Sequence, residues 1–292
     1  MRLAQIKPIL REGGAALANS GVQRIQKGDI PATINFIMKL SGIKKKDFRP
    51  LGSVGKTTTS GDIDLAVDIN KVNIQAIHKK MEKALGPTNS VLNVGFNIGS
   101  YAVPIRGDEA NGLVQVDLMF VEHLDWAEFS FFSPGDKSKY KGAIRSILLR
   151  AVAGSLNDPD FDHMEYSDQG ELLVRMGRTI DPNKGFKRIF QFRPEKKGGG
   201  FLKSLKSISF DKFKELFPEI PVRGDDAVIT DPKRVVEILF GKGVTPKDVE
   251  TAEKIIDRIE KFPQARADKA NEIAKIAMSR LGRDLRIPAK FR

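Results

Sequence analysis

Residues 51–68 read LGSVGKTTTSGDIDLAVD. A Gly-Ser turn is followed by a polar, Thr-rich segment and then by alternating apolar and acidic residues. The alternation predicts a strand from Ile63 to Ile69. Side chains two apart on a strand share a face. Asp62 and Asp64 therefore point one way, and Ile63 and Leu65 the other. Two carboxylates side by side repel each other unless a cation neutralises them, and such oxygen-rich pairs suit hard divalent ions.

Gly55-Lys56-Thr57 invites comparison with a phosphate loop. That motif requires a glycine five residues before Gly55, with a helix after the loop. Position 50 is Pro50 and a strand follows, so the motif is excluded. No Gly-x-Gly-x-x-Gly pattern supports a dinucleotide fold.

A third acid lies further along. Leu113 to Val121 alternates, with Val114, Val116 and Leu118 on one face and Asp117 on the other, beside Leu113, Gln115 and Met119. A carboxylate on an otherwise apolar strand requires compensation. Three acids from two strands, Asp62, Asp64 and Asp117, suit two Mg2+ ions, with Mn2+ as an alternative. Such ions hold a nucleoside triphosphate tail and lower the pKa of an attacking hydroxyl. The Gly52-Ser53 turn offers amides and a hydroxyl to the outer phosphates. Lys56, or another nearby cation, is expected to offset charge on departing pyrophosphate.

Between these strands the pattern predicts a helix from Asn70 to Leu85, stopped by Gly86-Pro87, and β segments from Ser90 to Phe96 and Ile98 to Ile105. Upstream, residues 1–47 are expected to be helical, the second helix starting after Asp29 with Pro31 in its first turn. Its apolar face carries Ile34, Phe36, Ile37 and Met38, and Ser41-Gly42 ends it. Downstream, 122–137 is expected to be an aromatic loop with Trp126, Phe129, Phe131 and Phe132, before a basic helix over 138–153. Trp126 reads as a packing anchor and Asp68 as a surface residue. Two β segments, Glu171 to Met176 and Lys187 to Phe192, follow turns at 168–170 and 181–185. Helices are expected over 210–217, 231–240, 246–262 and 265–281.

Gly52-Ser53, Gly61-Asp62-Ile63-Asp64-Leu65 and Val116-Asp117-Leu118 together resemble the signature of the DNA polymerase beta-like nucleotidyltransferase superfamily, most closely its family X DNA polymerases. The stretch Phe131-Phe132-Ser133-Pro134-Gly135-Asp136-Lys137 is similar to the aromatic pair and turn that open a basic helix in those enzymes. The match covers about residues 48–152. It departs from family X in a Ser53-to-Asp62 spacing one residue shorter, and in Val54-Gly55-Lys56 where an Arg pair is usual.

The resemblance implies an α+β fold: a palm-like mixed sheet with flanking helices, a small β-containing thumb-like region and a helical C-terminal region. The divisions are 1–47, 48–153, 154–200 and 201–292. It implies that Asp62 and Asp64 bind both metals, that Asp117 binds the catalytic metal and helps deprotonate the attacking hydroxyl, and that Gly52 and Ser53 contact the β and γ phosphates. Phe131, Phe132 and Gly135 would line the sugar and base of the nucleotide, although ordinary core packing explains the two phenylalanines equally well.

Over 292 residues the chain has 49 Lys and Arg against 37 Asp and Glu, a formal charge of +12, and no cysteine. Disulfides, zinc-thiolate sites and thiol nucleophiles are excluded. The positive balance attracts polyanions, nucleic acid first. No apolar run is long enough to span a bilayer, and the N-terminus lacks a signal-peptide pattern. A cytoplasmic location is expected, with no membrane partner. The expected activity is nucleotidyl transfer from an NTP or dNTP to a hydroxyl, foremost a nucleic-acid 3′ end. The acids alone leave open an acceptor that is a small molecule, a protein or a second nucleotide, and also a non-catalytic nucleic-acid-binding protein.

Overall fold

The computed structural model of the protein describes residues 17, 20–133, 145, 149–150, 153, 163–181, 183–195, 198, 204–222 and 228–240. The chain divides into two units, 1–146 and 147–292. The expected first N-terminal helix, most of the 138–153 helix, the helices over 246–262 and 265–281, and Gly135 lie outside the described residues.

In the first unit, strands β1 (Ile25–Gln26), β2 (Phe48–Pro50), β3 (Thr59–Ser60), β4 (Asp62–Asp68), β5 (Ser90–Asn93), β6 (Ile98–Pro104) and β7 (Leu113–Val121) accompany helices α1 (Ile30–Ser41), α2 (Ile74–Leu85) and α3 (Leu124–Ser130). Five strands form one mixed sheet in the order β2-β4-β7-β6-β5, and β1 pairs with β3 in a separate two-stranded ribbon. β4 and β7 are parallel neighbours, whereas β2 lies antiparallel to β4, and β6 antiparallel to both β7 and β5.

One face of the sheet is the main core. Ile63, Leu65 and Val67 from β4 pack with Val114, Val116, Leu118 and Phe120 from β7. Two helices cover this face. α1 buries Ile30, Thr33, Ile37 and Ser41, recurring at three- and four-residue intervals, the spacing of one helical face. Pro31 sits in its first turn, where a missing N–H is harmless, and Gly42 ends it in a left-handed conformation with φ +79°. α2 buries Ile77 and Met81. It begins four residues later than the sequence suggests, for a local reason. The Asp68 carboxylate accepts from the Asn70 amide at 2.9 Å, holding 70–71 in a turn. The Asn73 side chain then caps the helix by accepting from Ala76 N–H at 2.9 Å.

The opposite face of β4 and β7 is divided along its length. α3 covers one end, where Leu51, Ala66, Val121 and Ala127 form a small buried cluster with Met119, Leu124 and Phe131 against it. The acids take the other end. The expected aromatic loop is thus partly a helix, 124–130, in which Trp126, Ala127 and Phe129 are buried. Burial of three apolar side chains on one short helix stabilises it beyond what its propensity would. Trp126 is fully buried, as expected of a packing anchor. Two other differences are local. β5 stops at Asn93 and the chain turns through a 3-10 segment over Val94–Phe96. Ile25–Gln26, expected to be helical, is a short strand held by pairing with Ser60 and Thr59.

In the second unit, β8 (His163–Tyr166), β9 (Leu172–Asp181), β10 (Gly185–Phe192) and β11 (Lys206–Ser207) form an antiparallel sheet in the order β11-β10-β9-β8. β9 and β10 run longer than expected, β9 reaching Asp181 and β10 starting at Gly185. Helices α4 (Phe210–Leu216) and α5 (Pro232–Phe240) follow. Ser209 caps α4, whose Phe213 joins Val174, Met176, Phe190, Ile220 and Val222 in a second core, with Phe210 and Phe217 partly buried against it. The Phe213 ring lies 5.2 Å from that of Phe190 and 4.9 Å from that of Phe217, within the range of favourable tilted pairs. Among the described residues, no helix is long and apolar enough to cross a membrane.

Candidate metal and phosphate site

Pairing of β4 with β7 brings the three acids together. In the parallel register Asp64 stands beside Asp117, and Asp62 beside Gln115. One carboxylate oxygen from each of Asp62, Asp64 and Asp117 lies within 4.8 Å of the other two. Oxygens on opposite sides of an octahedral Mg2+ are separated by about 4 Å, twice a bond of about 2.1 Å. The donor set is entirely oxygen, and the spacing fits a hard divalent cation.

The electrostatics point the same way. Asp64 is held well above the usual carboxylate pKa, first by burial and then by the charges of Asp62 and Asp117. Burial also raises Asp117, against hydrogen bonds from Ser100 and Gln115 that favour its ionised form. Ser100 is the register partner of Asp117 across the antiparallel pair with β6. The Gln115 amide Nε2 donates to Oδ1 of Asp117 at 3.1 Å and to Oδ2 at 3.0 Å. Like charges held this close in a poorly solvated place create strong attraction for a cation.

The Gly52-Ser53 turn lies against this cluster. Leu51 N–H donates to the Asp64 carbonyl at 2.9 Å, so the turn is anchored to the middle of β4. Gly52 has φ +55°, in the left-handed region that favours glycine. A Cβ there would stand 3.6 Å from Asp64 Oδ2, so larger side chains would crowd the carboxylate. The Gly52 and Val54 amides are already engaged, donating to the carbonyls of Phe131 and Leu51 at 3.1 and 3.3 Å. Ser53 is half-buried in the turn, and its carbonyl accepts from Lys56 N–H at 2.9 Å.

Lys56 has a structural placement that its sequence context does not reveal. Its Nζ donates to the Gly52 carbonyl at 2.9 Å and to the Ser133 carbonyl at 2.8 Å. It also lies 4.5 Å from the centre of the Phe132 ring, a cation–π distance. Lys56 therefore ties the Gly-Ser turn to the aromatic segment. Phe131 and Phe132 are both half-buried there. Phe131 packs against the cluster of Leu51, Ala66, Val121 and Ala127, and Phe132 forms an isolated β-bridge with Gly52. Beneath them Arg145 is fully buried, its Nε donating to the Phe129 carbonyl at 3.0 Å. Its guanidinium carbon lies 5.0 Å and 5.6 Å from the ring centres of Phe129 and Phe132, and burial pulls its pKa down to about 9.

The structure thus brings together Asp62, Asp64, Asp117 and Gly52, with Ser53, Lys56, Phe131 and Phe132 on the adjoining turn and aromatic segment. Sequence reasoning placed Gln115 on the face of Asp117 without giving it a role, and missed Ser100 entirely. Strand alternation was sufficient signal for Gln115. Nothing in the sequence states the β6–β7 register that sets Ser100 opposite Asp117. No protein-family model matches this chain, and neither does any curated protein sequence.

Proposed function

We propose that this protein is a Mg2+-dependent nucleotidyltransferase with a polymerase beta-like palm, moving a nucleoside monophosphate from an NTP or dNTP to a nucleic-acid 3′ hydroxyl. The observation that carries the reading is the convergence of Asp62, Asp64 and Asp117 within 4.8 Å on neighbouring parallel strands. The Gly52 turn against Asp64 and the chain's charge of +12 support it.

Asp62, Asp64 and Asp117 would hold two Mg2+ ions. When bound, these supply charge neutralisation along the triphosphate and acidify the acceptor hydroxyl. The protein's own groups do the rest. Gly52 leaves room beside Asp64, where a larger side chain would block a phosphate. Asp117, raised by burial, is suited to take the proton of the attacking hydroxyl. The new bond joins that oxygen to the α-phosphorus, and the bond to pyrophosphate breaks. The half-buried Phe131 and Phe132 offer an apolar wall to the sugar and base.

The test is incubation with Mg2+, labelled nucleoside triphosphates and, in separate reactions, a DNA primer, an RNA, a small-molecule mixture or no acceptor. Label on nucleic acid supports the proposal. Label on protein, on a small molecule or in a dinucleotide keeps the chemistry and replaces the acceptor. Tight nucleic-acid binding with no transfer under Mg2+ or Mn2+ would make the protein a non-catalytic binder.

A further inference from the structure

We propose that Gln115 is a positioning residue of the three-acid site, its side-chain amide holding the Asp117 carboxylate ready for a divalent cation. The inference rests on reading the site as cation-dependent. Gln115 lies two residues before Asp117 on the same face of β7 and is the register partner of Asp62. Its Nε2 reaches both oxygens of Asp117, at 3.1 and 3.0 Å. The residue is only 2% exposed, and its carbonyl Oε1 is buried without a hydrogen-bond partner among the described residues.

The orphaned oxygen makes the arrangement informative. An ionised carboxylate only accepts, so Asp117 selects the NH2 end of the amide and leaves the carbonyl end unsatisfied. A buried acceptor without a partner opposes folding. A methionine has nearly the same length and would fill the same space without that penalty. Holding Asp117 is therefore the benefit the amide brings here. One nitrogen shared between two oxygens fixes the carboxylate plane, and Ser100 approaches the same group from β6. A carboxylate already fixed in orientation binds a cation without first being ordered, and groups that orient ligands in this way commonly control affinity.

The decisive experiment compares the full-length wild type with Gln115→Met by calorimetric titration with Mg2+ and with Mn2+. Melting of each metal-free protein is followed by circular dichroism. The Met variant is expected to remain folded with a cooperative melt, and to bind either cation about 10-fold more weakly. In an Asp117→Asn background the same substitution should leave cation affinity unchanged, because the carboxylate that the amide holds is gone. Unaltered affinity in the single variant overturns the inference. So does a Met variant that fails to fold, since Gln115 would then be a packing residue. A wild type that binds neither cation removes the cation reading of the site itself, and the inference falls with it.

Discussion

Asp64 and Asp117 are register partners across the parallel β4–β7 pair, on the face opposite the main core. Like charges directly opposite each other in a sheet are destabilising. Here the unfavourable pairing is joined by a third carboxylate and by burial, so the sheet is less stable than it would be with neutral residues at these positions. That cost is what the proposed cation would offset.

The first prediction concerns stability and pH in the absence of metal. Burial and the neighbouring acids raise the folded-state pKa of Asp64 above its ordinary value of 3.8. The folded chain then retains a proton that the unfolded chain releases. This contribution favours folding fully below pH 3.8 and is lost as pH rises through the raised folded value. Asp64→Asn should therefore stabilise the metal-free protein at pH 7 by about 1 kcal/mol. The gain should shrink as pH falls towards 4, and the variant should lose the rise in melting temperature caused by Mg2+. Denaturant titrations at several pH values, with and without Mg2+, measure all of this. A destabilised Asn variant at neutral pH would contradict the electrostatic account.

Asp117→Asn should leave the fold intact and lower nucleotidyl transfer by at least about 100-fold, the scale of losing a group that takes the proton in the transition state. Transfer of labelled nucleotide, alongside a circular dichroism spectrum, is the measurement. Full activity in this variant would place the chemistry elsewhere.

Lys56→Met separates two roles for one cation. Its Nζ bonds the Gly52 and Ser133 carbonyls, so the substitution should destabilise the nucleotide-free protein by about 1 kcal/mol, the worth of a charge-assisted pair near the surface. A residue acting only on pyrophosphate would leave the melting temperature unchanged and alter transfer alone.

Gly185→Ala should destabilise the second unit. Gly185 has φ +99°, and an added Cβ would stand 2.5 Å from the Ile229 carbonyl oxygen. That oxygen accepts from the Phe186 amide at 3.0 Å, while the Ile229 amide donates to the Phe186 carbonyl at 2.8 Å, so it cannot move without loss. Strain and lost hydrogen bonding together should amount to about 2–4 kcal/mol. Thermal melting reads the result, and a variant within about 0.5 kcal/mol of wild type would mean the backbone yields there without loss.

Strand alternation was enough to put Asp62 and Asp64 on one face, and Gln115 with Asp117, because a pleat has a period of two whatever the surroundings. The edges of α1 were legible because Pro31 and Gly42 act locally. The start of α2 was not read correctly, since Asp68 and Asn73 each cap a turn and only their spacing in three dimensions decides which one opens the helix. The helix over 124–130 was hidden for a related reason: Trp126, Ala127 and Phe129 become an apolar face only once β4 and β7 give them something to cover.

What the sequence alone determined is the chemistry available: three carboxylates on predicted strands, a Gly-Ser turn before them and a positive balance. These are properties of residue type and short-range periodicity. The tertiary structure decided which atoms meet. Pairing of β4 with β7 sets Asp64 beside Asp117, and the β6–β7 register delivers Ser100. The fold also turns Lys56 into a tie between two carbonyls 81 positions apart in the chain, those of Gly52 and Ser133. Contacts between distant segments depend on register and packing, and no local stretch of the chain encodes them.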